Sequence, residues 1–118
     1  MRYAAILNAG PAWVQGKSVK EQDRAVMLAH LQAMRQRYDE GSVLFGGPFK
    51  DGDGGIALIE APSRVDATAI MDRDPAVSAG ILEFALFEVR PYFDAISGEA
   101  WTPASQAEFA KVAFPVLR

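Results

Sequence analysis

The sequence predicts an α+β sandwich in one domain, and three observations carry that expectation. Half of the 118 residues are hydrophobic and 23% are charged, the ordinary balance of a globular chain able to bury a core. Apolar runs of strand length and stretches of helical spacing follow one another as strand, helix, strand, strand, helix, strand. Clusters of glycine, proline and aspartate fall between these runs rather than inside them.

Residues 3 to 7, YAAIL, fit a short buried strand. Asn8, Gly10, Pro11, Gly16 and Lys17 then mark an irregular, exposed-looking connection that carries Trp13 and Val14. Ser18-Val19-Lys20-Glu21 has the form of a capping box, in which serine and glutamate each satisfy an otherwise orphaned backbone NH. Met27, Leu31, Met34 and Tyr38 recur at helical spacing and Gly41 stands where a C-cap glycine would, which predicts a first helix over 19–40.

Val43-Leu44-Phe45 reads as the second strand and Ile56-Ala57-Leu58-Ile59 as the third, joined by a turn-rich segment into a hairpin. Ser63, with Asp66 three residues later, caps a second helix that ends near Arg73 because position 74 precedes a proline. A short helical turn at 75–79 closes on Gly80, and residues 81–89, ILEFALFEV, form the fourth strand. Thr102-Pro103 and ASQAEFAKVAF read as an N-cap, an N1 proline and a short amphipathic helix with Phe109 and Val112 on one side.

That order is the signature of a split βαβ, the ferredoxin-like βαββαβ sandwich over residues 1–92, with 93–118 as a C-terminal extension carrying one extra helix. The third and fourth strands are apolar at consecutive positions, which implies burial on both faces. The helices suffice for one face only, so the other is expected to meet a second copy, giving a homodimer whose sheets close into an α+β barrel.

Composition removes several classes of function. There is no cysteine, which excludes disulfides, thiolate catalysis and cysteine metal sites. The formal charge is −3 and no long basic run occurs, so neither nucleic acid nor an anionic membrane surface is an expected partner. The first seven residues, MRYAAIL, are too short for a secretory apolar region, and no apolar run is long enough to span a bilayer; the expected compartment is the cytoplasm.

Several segments invite a chemical reading, and each also has a plain structural one. GGPFKDGDGG lacks the Walker pattern, and a calcium loop starting at Asp51 would need an oxygen ligand where Gly55 stands and a glutamate where Pro62 stands. A hairpin turn accounts for it by backbone need. Gly46, Gly47 and Pro48 at a strand end would let a ligand approach closely, although a bulge or sheet corner calls for them equally. Asp74-Pro75 is a good N-cap and N1 pair, and His30, the one histidine, flanks an apolar stripe where a packed and hydrogen-bonded ring is common.

Taken together, AHLQAMRQRYDEGSVLFGGP (29–48), DPAVSAG (74–80) and FEVRPY (87–92) resemble the YciI-like (YCII-related) family of small α+β proteins. The shared pattern is a His-Leu pair in the first helix, a Gly-Pro at a strand end and an Asp-Pro near the end of the second helix, carried here by His30-Leu31, Gly47-Pro48 and Asp74-Pro75. The resemblance implies a ferredoxin-like dimer with His30 and Asp74 as a proposed catalytic pair, similar in fold to muconolactone isomerases and related to a dehydrochlorinase of chlorinated hydroxyquinols. Members often carry an arginine shortly before the histidine; position 27 is Met here, and Arg24, one turn earlier, is the candidate to replace it.

The chemistry of such a pair is general. A carboxylate on one imidazole nitrogen fixes the tautomer, so the other nitrogen can take a proton beside a carbonyl, as in isomerisation or HX elimination. No Gly-x-Ser-x-Gly elbow supplies a nucleophile, and one histidine is too few for a zinc site. The expected function is therefore a lyase or isomerase working without cofactor or metal on a small metabolite. His30 is the general base or acid and Asp74 its orienter, with Gly47, Pro48, Trp13, Phe49 and Arg24 as substrate contacts. The rival reading is a non-catalytic small-molecule-binding or accessory dimer, since fold does not fix function. A third, haem-dependent chemistry as on related barrels, would need an axial ligand.

Overall fold

The structure is a computed structural model that describes residues 1–96, 99–100 and 103–111. Strand β1 (Arg2–Ala9) leads through a long strap and a single 3-10 turn (Val19–Glu21) into helix α1 (Arg24–Glu40). Strands β2 (Val43–Pro48) and β3 (Gly55–Glu60) follow, then helices α2 (Arg64–Asp72) and α3 (Pro75–Ser78) and strand β4 (Leu82–Val89). The sheet order is β2-β3-β1-β4 with every neighbouring pair antiparallel, the ferredoxin-like arrangement.

The first helix begins one turn later than its sequence suggests. The Ser18 amide and hydroxyl do donate to Glu21 Oε1, at 3.2 and 3.0 Å, but this closes only the 3-10 turn. Gln22 then returns to extended backbone, and Asp23 caps α1 by accepting from the Val26 amide at 3.0 Å. The run breaks at Gln22, whose backbone is extended and whose residue, 3% exposed, turns its side chain inward to bond the strap. At the other end Gly41 takes the left-handed conformation, φ 87°, and its amide reaches back to the Arg37 and Tyr38 carbonyls.

Cross-strand rows show which face does what. Tyr3, Ala5 and Leu7 of β1 pair with Ile59, Ala57 and Gly55 of β3, and these residues are buried beneath the helices with Met71 and Ala76. Trp13 is also part of this core at 7% exposure, although its connection looks exposed in the sequence. The strap is drawn onto the body by backbone bonds from Gly10 N to Ile81 O and from Ala12 N to Gly80 O, both 2.8 Å. A Cβ on Gly10 would stand 2.3 Å from Gly80 O, so only glycine permits that approach.

The opposite face carries another row, Phe45–Leu58–Ala4–Phe87, running across all four strands. Phe45 and Phe87 remain 61% and 56% exposed. After β4, strands β5 (Phe93–Asp94) and β6 (Glu99–Ala100) pair, and helix α4 (Pro103–Phe109) follows. Asp94 ties this extension to β1 by accepting from Arg2 Nη1 at 2.9 Å, and Arg90 pairs with Glu108. The expected cap Thr102 and stripe residue Val112, with the side chain of Phe109, lie outside the described residues.

Candidate active site

Asp74 stands between α2 and α3 with its side chain wholly buried. The local sequence explains its backbone: Pro75 fixes the first helical φ of α3, and Asp74, extended at φ −63° and ψ 132°, takes the N-cap position. Its Oδ2 accepts from the Ala76 and Val77 amides at 3.0 and 3.3 Å. The same carboxylate faces the ring of His30 on α1, with Nδ1 at 2.7 Å from Oδ1 and 2.8 Å from Oδ2. The cap and the histidine partner are thus one group.

An ionised carboxylate only accepts, so the proton between the two residues belongs on Nδ1. That leaves Nε2 with its lone pair in the neutral ring, and among the described residues it has no hydrogen-bond partner. The imidazole lines a cleft of about 450 Å³ between α1 and the β2–β3 end of the sheet. This is the size range of small-molecule sites. Met27, Leu31, Met34 and Tyr38, the stripe that reads as core packing in the sequence, line this cleft; Leu31 and Tyr38 are more than half exposed.

Gly47 and Pro48 also line it, as does Gly46, and the missing side chains open the β2 wall. The other expected contacts lie elsewhere. Trp13 is in the core, Phe49 closes the β2–β3 turn through its amide to Gly54 O at 3.0 Å, and Arg24 sits in the first turn of α1, exposed and away from the lining. Two residues carry no functional signal in the sequence: Lys20, which lines the cleft, and Gln22, which holds the strap beside it. Their signal is hidden because the capping box reads as the start of one long helix. Among the described residues no group of three histidine or acidic side chains is placed to hold a metal ion, and no helix is long and apolar enough to cross a membrane.

The YCII-related domain model matches residues 1–94. The chain belongs to the YCII-related family. No curated protein matches it significantly. Among solved structures this YCII-related chain is similar to 5-chloro-2-hydroxyhydroquinone dehydrochlorinase from Burkholderia phenoliruptrix, solved as a complex with 2,5-dihydroxybenzoquinone. The two share 21% identity over 76% of this chain and 94% of that one, with a TM-score of 0.53, a likeness of fold.

Proposed function

We propose that the chain is a lyase or isomerase that moves a proton on a small metabolite with its own side chains, His30 acting as general base and acid and Asp74 orienting it. The observation that carries this reading is the Asp74 carboxylate, both oxygens within 2.8 Å of Nδ1, behind a ring that lines an apolar cleft. Nε2 takes a proton from carbon next to a carbonyl, and the imidazolium so formed is paired with the buried carboxylate. The released electron pair either expels a leaving group such as halide, giving a lyase, or is reprotonated at another carbon, giving an isomerase. The structural neighbour's name and its quinone ligand favour cyclic, oxygenated substrates.

The working unit in this proposal is a homodimer in the cytoplasm. The apolar row Phe45–Leu58–Ala4–Phe87 is the face on which the second sheet would pack.

The test is a panel of lactones, halogenated enols and chlorinated hydroquinones in D2O, followed for halide release, ultraviolet change and deuterium uptake. Turnover is expected for at least one class, falling roughly 100-fold or more in His30→Gln, the ordinary range for a general base. Saturable binding with no turnover and no exchange would instead establish the non-catalytic binding reading.

A further inference from the structure

The cleft's lining has a one-sided charge. Of its side chains only Lys20, His30, Arg35 and Tyr38 ionise, and none carries a carboxylate. Arg35 is engaged in an exposed ion pair, its Nε donating to Asp39 Oδ1 and Oδ2 at 2.9 and 3.2 Å. Lys20 has no carboxylate within ion-pair distance among the described residues. Lys20 lines this apolar cleft from a solvent-exposed position, so its ammonium is free to pair at the rim with an anionic ligand and offset part of that ligand's desolvation.

The placement of Lys20 is built into the chain. It stands in the 3-10 turn closed by Ser18 and Glu21. Immediately after the turn, Gln22 fixes the strap: its Oε1 accepts from the Val14 amide at 2.8 Å, and its Nε2 reaches the Val14, Lys17 and Ser18 carbonyls at 3.1, 3.2 and 3.4 Å. Val19, the residue before Lys20, packs partly buried against the core and lines the same cleft. The lysine backbone is therefore anchored on both sides.

We propose that Lys20 recognises the ligand's charge, and that the cleft takes a small, mostly apolar molecule bearing one negative charge. The inference rests on the reading above that this cleft is the ligand site, but it concerns binding alone and needs no turnover.

Two fluorescent probes that differ by one sulfonate test it: 8-anilinonaphthalene-1-sulfonate, an apolar anion, and N-phenyl-1-naphthylamine, its uncharged counterpart. The imidazole NMR signal of the single histidine reports whether each occupies the cleft. Both probes are expected to shift that signal, with the anion bound more tightly at low salt. Lys20→Met is expected to weaken the anion about tenfold, the scale of one charge-assisted contact, and to leave the neutral probe unchanged. Lys20→Arg should keep most of the anion's affinity. Equal weakening of both probes, an unchanged anion affinity in Lys20→Met, or anion binding that leaves the His30 signal unmoved would each overturn the proposal. None of these outcomes bears on Asp74 or on proton transfer, so the catalytic reading stands or falls separately.

Discussion

The Asp74 carboxylate holds the ring of His30 at 2.7 and 2.8 Å while capping α3 through the Ala76 and Val77 amides. Two substitutions separate these duties. Asn is as good an N-cap as Asp but is uncharged, so Asp74→Asn should cost only about 1 kcal/mol while releasing the tautomer. Asp74→Ala removes the cap and leaves buried donors unpaired, for roughly 2–4 kcal/mol. Chemical denaturation gives the first quantity. The imidazole nitrogen shifts give the second, with the proton expected on Nδ1 in the parent and redistributed towards Nε2 in Asp74→Asn.

Gln22 is the strap's anchor, and truncation exposes its role. Gln22→Ala should destabilise the chain by about 2 kcal/mol, because a buried side chain leaves several backbone groups unmatched. Amide hydrogen exchange should accelerate at Val14 and its neighbours while β1 and β3 keep their protection. Uniform acceleration across the sheet would show that the strap has no independent stability.

Glu21 gives a pH dependence whose sign follows from its bonds. The Ser18 amide, and then its hydroxyl, hold the carboxyl below its ordinary value of 4.5. A folded value below the unfolded one stabilises the turn at pH above 4.5 and is lost as pH falls through the lowered folded value. The Ser18 amide resonance should therefore titrate with a midpoint below 4.5, and Glu21→Gln should abolish the transition.

Self-association through the open sheet face is checked by sedimentation. Parent protein at micromolar concentration is expected to run as a dimer. Phe45→Glu with Phe87→Glu, which places charges at both ends of the apolar row, should run as a folded monomer. A parent monomer would remove the homodimer from the proposed function.

Much of the architecture is legible in the sequence because its signals are local. Ser63 as cap, Gly41 as C-cap and Asp74-Pro75 as the start of a short helix each depend on a few neighbouring residues. The start of α1 is less legible, since Ser18-x-x-Glu21 is a genuine local motif that closes one turn, and the interruption at Gln22 depends on the strap folding back across eight residues. The cleft is harder still. Periodicity identifies Met27, Leu31, Met34 and Tyr38 as one side of a helix, but whether that side meets a core or a cavity depends on Gly46 and Gly47 opposite. Lys20 becomes noticeable only once the other lining residues are known.

Strand β2 is an outer strand of the sheet, and its composition bears on how the protein avoids unwanted company. Its pairing is irregular between Val43 and Phe45, and it finishes on Pro48, which has no amide hydrogen to offer a neighbour. An irregular, proline-terminated border is a poor template for a foreign strand, so growth into fibrils by strand addition is discouraged on this side. Val43 and Pro48 line the cleft as well, so the strand that walls the cavity is also built to guard the sheet's border. Replacing Gly47 and Pro48 with β-branched residues would narrow the cavity and, in the same stroke, make the strand a better seed for aggregation.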